Sequence, residues 1–347
     1  MMTRQIFKQS VGLDISKDTF AACFSQRQAD QEFRIVSSKS FNSTASAFKE
    51  FDKWIQKYRH SQAPLHFLME ATGVYYEELA YFLQAKGYRV TVLLPNKTAA
   101  YGKSLAYKSK TDKIDAQKLA QMSLERDLPK WEPLSREMLK IKQLTRERAE
   151  LMDTLVAFKN RIHAKKYAYK PLPGSLSRSN KSINFLQKQI TEIERELAQL
   201  VKQDDFLRPR IEQICSIPGV GFITAITLVG EVNGFDLFKN KAQLVCYAGY
   251  DVIQRQSGTS IHQATKISSK GNHRIRKALY FSALVAVKSD PHFKALFDRV
   301  MHSTHIKMKA YVAVQRKLLV LIYTIFKTNQ PYDPHFGSVN DNLPKQK

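Results

Sequence analysis

The run Leu65-His66-Phe67-Leu68-Met69-Glu70 is apolar at nearly every position. A strand with one wet face alternates apolar and polar residues. A run without alternation belongs to a strand covered on both faces, which means a largely parallel sheet packed between helices. This one segment commits the early part of the chain to an α/β layer architecture. Its neighbours supply the layers. Val11–Ile15, Thr19–Phe24 and Glu32–Val36 read as a three-strand meander, and Ala45–Tyr58 as a helix with Phe48, Phe51, Trp54 and Ile55 on one face. The pattern predicts a helix over Val74–Lys86 that stops at Gly87, a strand over Tyr88–Leu94 that stops at Pro95, and a helix opening at the N-cap signal Thr111-Asp112.

Three strands, a helix, a strand, a helix, a strand and a helix is the order of an RNase H-like fold, expected here over residues 1–130. Trp131-Glu132-Pro133 marks a boundary. Beyond it, Ile141, Leu144, Arg148, Leu151, Leu155, Phe158 and Ile162 recur at spacings of three and four. Ile183, Leu186, Ile190, Ile193, Leu197 and Leu200 do the same. Both stretches read as coiled-coil helices, and Pro171-Leu172-Pro173-Gly174-Ser175 breaks them apart. Residues 131–206 are thus expected to form an antiparallel helical hairpin, or a pair of seams for a partner chain. A mostly helical region follows over 207–327, and a loose tail over 328–347 with Pro331, Pro334 and Pro344.

The charge balance narrows the function. Lys and Arg number 55 against 31 Asp and Glu, a formal +24. Such an excess points to a polyanionic partner, nucleic acid before membrane, since no apolar run is long enough to span a bilayer. Three cysteines, Cys23, Cys215 and Cys246, make no C-x-x-C pair and read as reduced core residues. A basic, cytoplasmic, nucleic-acid-facing protein is expected.

Four acids could carry chemistry. Asp14 and Glu70 stand near the carboxyl ends of candidate strands, where α/β sheets build sites, and Asp112 and Asp115 open a helix three residues apart. Oxygen ligands of this kind suit hard divalent cations, which stabilise attacking and leaving oxygens in phosphoryl transfer. Each acid alone has a plainer explanation, such as an N-cap or a first-turn charge. Ser216-Ile217-Pro218-Gly219-Val220-Gly221 resembles the hairpin of a helix-hairpin-helix, in which Gly219 and Gly221 let backbone N–H groups approach phosphate; a simple helix–helix turn fits equally. Gln256-Ser257-Gly258-Thr259-Ser260 reads as a polar loop, followed by a phosphate-gripping stretch of Lys266, Lys270, His273, Arg274, Arg276 and Lys277. Lys159, Arg161, Lys165, Lys166, Tyr167, Tyr169 and Lys170 interleave cations with aromatics, as suits RNA whose unstacked bases lie on rings; a solvated helix end is the plainer reading.

The words Gly12-Leu13-Asp14-Ile15-Ser16-Lys17, Met69-Glu70-Ala71-Thr72-Gly73-Val74-Tyr75 and Lys110-Thr111-Asp112-Lys113-Ile114-Asp115-Ala116 occur in that order. They are followed by Ile217–Gly221, Tyr247-Ala248-Gly249, Ser257-Gly258 and Ser269-Lys270-Gly271-Asn272. In these words the chain resembles, over nearly its full length, the DEDD-type insertion-sequence transposases, a family that includes the Piv-like DNA invertases and the bridge-RNA-guided recombinases. The resemblance implies a RuvC-like domain whose four acids, here Asp14, Glu70, Asp112 and Asp115, bind Mg²⁺. It also implies a C-terminal transposase domain whose catalytic serine is Ser257, in a site composed between protomers of a dimer or tetramer. A structured guide RNA that selects target and donor DNA is implied by the resemblance alone.

Three other readings compete. A tyrosine recombinase would use the word His273-Arg274-Ile275-Arg276 with Tyr311 or Tyr323, and leaves the acids without a task. A RuvC-like junction nuclease would hydrolyse DNA with water and no covalent step. A non-enzymatic nucleic-acid binder would find clustered carboxylates a liability beside phosphate.

Overall fold

Strand β1 (Ile6–Ile15) is the middle of the sheet: it pairs antiparallel with β2 (Thr19–Gln28) on one side and parallel with β4 (Leu65–Glu70) on the other. β3 (Phe33–Asn42) extends the meander beyond β2, α1 (Ala45–Tyr58) leads into β4, and α2 (Glu77–Ala85) leads into β5 (Arg89–Leu93), which is parallel to β4. The resulting order β3-β2-β1-β4-β5 is that of an RNase H-like sheet. This computed structural model describes residues 6–28, 33–105, 109, 111–236, 238–257, 261–268 and 271–334, with backbone alone at 96, 253–257 and 261–266. The chain divides into two units, Met1–Pro133 and Leu134–Lys347.

β4 is buried from Leu65 to Met69, as its unbroken apolar run requires. One face of the sheet carries Val11, Leu13, Phe20, Phe67 and Met69 against Phe48, Phe51 and Ile55 of α1. Phe20 stacks on Phe41 at 5.4 Å and meets Phe51 edge-on at 5.1 Å, and such pairs add about 0.5–1.5 kcal/mol each beyond their buried area. Helix α1 starts where Thr44 accepts the Ala47 N–H. The meander strands run further than their apolar centres. Their outer halves are polar, as in Lys8-Gln9-Ser10, yet Gln9 is fully buried, with its amide donating to the His60 and Ala63 carbonyls at 2.8 and 2.9 Å.

The other face is covered by α3 (Pro95–Gly102) and α4 (Asp112–Glu125). Pro95 ends β5 as expected and also opens α3 at its first position, where its missing N–H costs nothing. Helix α4 runs antiparallel to β1. Near its end, the Ser123 and Arg126 carbonyls accept from Lys8 Nζ at the start of β1; at its middle, Ala116 and Ala120 lie directly on Gly12. A Cβ at Gly12 would fall inside the Ala116 carbonyl and the Ala120 amide, so only glycine permits this approach. Gly12→Ala is expected to pry α4 from the sheet and lower stability by about 3 kcal/mol, read as a urea midpoint shift. An unshifted midpoint would mean that this contact is not needed.

Among the described residues the second unit is helical apart from one antiparallel pair of strands. α5 (Arg136–Lys166) and α6 (Pro173–Gln203) each run 31 residues. They are antiparallel: Lys165 reaches Ser175 and Ser179 at the tip, Leu155 packs with Leu186 and Ile190, and Arg148 pairs with Glu194 at 2.7 Å. At the opposite end, Met138, Ile141, Ile193, Leu197 and Val201 enter one core with α7 (Leu207–Cys215), α8 (Phe222–Glu231), α9 (Lys241–Ala248), α10 (His273–Ser289), α11 (Pro291–Thr304) and α12 (Lys307–Thr328). Between α9 and α10 the chain forms the antiparallel pair β6 (Val252–Ser257) and β7 (Ile261–Ile267).

Two expectations need correcting. The stretch after α12 is not loose from its start. Tyr332 stacks on Phe293, donates to Asp290 at 2.8 Å, and takes its backbone N–H to Ser216 Oγ; residues 335–347 lie outside the described part. Nor are all three cysteines core residues. They are free thiols, but only Cys23 is buried, while Cys215 is half-buried and Cys246 exposed on α9. Among the described residues no helix is long and apolar enough to cross a membrane.

Candidate active site and nucleic-acid interface

Leu13 and Met69 pair across the parallel β1–β4 ladder and both point into the α1-side core. Side chains alternate along a strand. Asp14 and Glu70, one residue further on each strand, therefore stand side by side on the opposite face, at the carboxyl end of the two strands. That face lies under α4. Because α4 runs antiparallel to β1 with Ala116 over Gly12, its first turn, bearing Asp112 and Asp115, lies towards the Asp14 end. The connections behind this are local: Thr111 caps α4 by accepting the Ile114 N–H, and Ala116 packs on Ala21, the cross-strand partner of Asp14.

Each carboxylate is nonetheless held in its own place. Glu70 accepts from Thr98 of α3 and, at 3.4 Å, from Thr72. Asp115 is paired with Lys118 at 2.8 Å, and Asp112 is exposed. Among the described residues no three His, Cys, Asp or Glu side chains are gathered closely enough to hold a metal ion. The strand ends and the helix start thus share one end of the sheet, while the side chains have not closed into a cage.

In the second unit Ser257 is the last residue of β6, paired with Ile261 of β7. Of the polar loop expected at Gln256–Ser260, Gln256 and Ser257 belong to a strand, while Gly258, Thr259 and Ser260 lie outside the described residues. So do Lys110, Ser269 and Lys270, and the side chains of Ser257 and Lys266. The base of the ladder is firmly tied. Ser268 N–H donates to the Asp251 carbonyl at 2.8 Å, Tyr250 is buried with its hydroxyl on Gln315 at 2.8 Å, and Arg276 donates to the Ala248 carbonyl at 2.7 Å. Gly249 and Gly271 lie back to back, so close that a Cβ on Gly271 would overlap the Gly249 backbone.

Beside this base sits a buried charge. Glu231, 3% exposed at the end of α8, accepts from Arg146 Nε at 2.7 Å and Nη2 at 3.0 Å, and from Asn272 Nδ2 at 2.8 Å. Arg274 lies 3.9 Å away. Burial pushes the Glu231 carboxyl up, but the Arg146 and Asn272 hydrogen bonds and the positive charges of Arg146 and Lys142 bring it below its ordinary value. It is an ionised, fully hydrogen-bonded group in a dry place, and removing one partner would leave a costly unpaired charge.

The basic residues divide. Lys166 and Lys170 are exposed at the tip of the α5–α6 hairpin, where Lys165 also sits, with Tyr167 and Tyr169 80% and 89% exposed. Lys170 lies 5.3 Å over the Tyr169 ring. By contrast, Lys277 pairs with Asp153 at 2.5 Å, Arg274 neighbours Glu231 and Glu150, and Arg276 is spent on the α9 carboxyl end. Gly221, the exposed N-cap residue of α8, has open space where a Cβ would stand. Gly219 stands at φ +86°, and a Cβ on it would run into the α10 backbone at Ser282 and Ala286, so packing by itself accounts for a glycine there. The tyrosines of the rival recombinase reading have packing partners. Tyr311 packs on Phe297 at 4.6 Å, and Tyr323 donates to the Phe238 carbonyl and meets Phe235 edge-on.

Two family models cover both units. One, of the DEDD IS110 type and described as a transposase, matches residues 11–165; the other, the transposase IS116/IS110/IS902 family, matches residues 211–298. The pilin gene-inverting protein of Moraxella bovis is 30% identical over 327 residues, 94% of this chain and 98% of that one. The chain belongs to the IS110 family of transposases. The transposase of insertion sequence element IS1111A from Coxiella burnetii is a further relative of this IS110-family transposase, 23% identical over 93% of this chain and 90% of its own. A solved structure of T. thermophilus RuvC with a Holliday junction substrate aligns with 32% of the chain and 90% of its own at 12% identity and a TM-score of 0.24. That value is too low to carry a fold assignment, which rests on the strand order.

This IS110-family transposase is thus an enzyme of DNA recombination. Two of its site-building features have only faint sequence signals. Glu231 is the lone acid closing the otherwise apolar run Phe222–Gly230, the mark of a buried and paired charge. Thr98, which grips Glu70, lies on α3, a helix announced only by Pro95.

Proposed function

We propose that this transposase breaks and rejoins DNA through a covalent joint to Ser257, with Mg²⁺ held by Asp14, Glu70, Asp112 and Asp115. The observation that carries this reading is the placement of Asp14 and Glu70 in register at adjoining strand ends, with the Asp112–Asp115 turn towards the same end. The donor set is all oxygen and all anionic, which fits a hard divalent cation. When bound, the cation supplies charge stabilisation at the phosphate oxygens. Binding it requires Asp115 to leave Lys118.

The Ser257 hydroxyl loses its proton and its Oγ attacks a backbone phosphorus. The P–O3′ bond breaks, the 3′-oxygen departs as a hydroxyl, and the 5′-phosphate stays esterified to serine. Attack by a different 3′-hydroxyl reverses the step, so the bond energy is kept and no nucleotide cofactor is consumed. The same exchange gives inversion or transposition according to how the two sites are arranged. A structured guide RNA is the second partner we assign, supported by the exposed Tyr167 and Tyr169 among Lys165, Lys166 and Lys170. Exposed Val156 and Phe185 on α5 and α6 support assembly with further copies of the chain, as dimer or tetramer, in the cytoplasm where its DNA lies.

The test uses DNA bearing an end of the element and a nick placed so that the cleaved strand cannot be resealed. With Mg²⁺, DNA labelled at the 3′ end of the cleaved strand should remain attached to denatured protein. Cleavage that leaves only free 5′-phosphate would instead make the enzyme a hydrolytic nuclease. Charge reversal of Lys165, Lys166 and Lys170 should weaken RNA binding more than DNA-site binding and flatten the log–log salt slope for RNA by about 2, three single-strand contacts at about 0.7 each. Equal losses for RNA and DNA would overturn the assignment of this strip to RNA.

A further inference from the structure

β7 ends at Ile267, and Asn272, the N-cap of α10, enters a buried hydrogen-bond centre at Glu231. Ile267 closes the ladder against Val252; just beyond it, Gly271 is pressed against Gly249 and Asn272 donates to Glu231. Asn272 does three things at once. Its side-chain oxygen caps α10 through the Arg274 and Ile275 N–H groups, its amide nitrogen reaches Glu231, and its backbone N–H donates to the Tyr247 carbonyl at 2.8 Å. Glu231 in turn accepts from Nε and Nη2 of Arg146, in the first half of helix α5. β6 and β7 are hydrogen-bonded to each other, and their described ties to the helical core lie at this base. A rotation of this base turns the β6–β7 ladder, and Ser257 at the end of β6, with it.

We infer that Glu231, acting through Asn272 and anchored by Arg146, is a positioning residue that aims the Ser257 hairpin at the DNA phosphate. A buried carboxylate with all its partners in place is a poor source of stability but a good source of a unique geometry, because any other arrangement leaves charge unpaired. A nucleophile displaced by about 1 Å can lose 10²-fold in rate while its substrate still binds. The inference rests on Ser257 being the nucleophile, and its test separates the two.

Three variants are compared with wild type on the nicked suicide DNA: Glu231→Gln, Asn272→Asp, and the two together. Asn272→Asp keeps the helix-capping oxygen but sets a carboxylate against Glu231. Glu231→Gln removes the charge that Arg146 grips. The double variant restores an amide–carboxylate pair with the partners exchanged. Each single variant should form the adduct about 100-fold more slowly at saturating DNA, with DNA affinity within about threefold of wild type. The double variant should recover to within about tenfold, a coupling expected only of residues that act as a pair. Single variants reacting at the wild-type rate, in a protein whose wild type forms the adduct, would overturn the positioning role alone. Rate, affinity and melting temperature falling together, without recovery in the double variant, would reduce Glu231 to a packing residue. No adduct in wild type would overturn both readings.

Discussion

Asp14→Asn, Glu70→Gln and Asp112→Asn are each expected to lower strand cleavage at least about 10³-fold while the protein folds and binds DNA as before. The size follows from what the carboxylates are asked to supply. A cation at a phosphoryl centre contributes several kcal/mol of transition-state stabilisation, and about 4 kcal/mol corresponds to that loss. Stability should be preserved because none of the three is part of a core. Asp112 is exposed, and Asp14 and Glu70 are half-buried at strand ends. Neutralising one of four like-charged neighbours relieves repulsion as readily as it removes a hydrogen bond. Replacing Mg²⁺ with Ca²⁺ should permit assembly on DNA but slow cleavage, since the larger ion accepts a looser shell. The measurement is cleavage of the labelled element end beside a gel-shift titration. Near-wild-type cleavage in any of the three would remove that residue from the metal site.

Ser257→Ala is expected to abolish the covalent joint entirely, with melting temperature and DNA affinity unchanged. A serine exchanged for alanine outside a core normally shifts stability by less than about 0.5 kcal/mol. The contrast between a silent fold and a dead reaction is therefore specific to a nucleophile. Ser257→Cys should retain only traces, because sulfur is larger and softer than the alkoxide it replaces. Thr259→Ala and Ser260→Ala serve as internal controls of similar chemistry and should keep much of the activity. A surviving adduct in Ser257→Ala would remove the serine from the mechanism.

What could be read from the sequence follows the strength of local signals. Leu65–Glu70 and Ala45–Tyr58 were legible to the residue, because an unbroken apolar run and a strong one-faced periodicity each admit one structure. The carboxylates were legible as candidates because Asp14 and Glu70 end strands and Thr111 caps α4. Their restraint by Lys118 and Thr98 was not, since those contacts depend on side-chain direction and on α3. The β6–β7 pair was missed because Gln254-Arg255-Gln256-Ser257 and His262-Gln263-Ala264-Thr265 lack apolar alternation; it shows itself in its hydrogen-bonded ladder. Gly219 looked like a phosphate-binding glycine, yet its left-handed backbone and the nearness of α10 account for it. Both requirements give the same residue, and sequence alone cannot separate them. The Glu231 centre joins α5, α8 and the start of α10, a long-range convergence with no local trace beyond an acid in an apolar helix.

The reading of this enzyme as a serine-dependent recombinase turns on one chemical bond. The direct measurement is mass spectrometry of the protease-digested protein after trapping on the nicked DNA with Mg²⁺, to find the peptide that carries a nucleotide. The predicted result is a 5′-phosphonucleotide esterified to Ser257, absent when Asp14→Asn or Ser257→Ala replaces the wild type. A nucleotide on Tyr311 or Tyr323, or complete cleavage with no modified peptide, would contradict it.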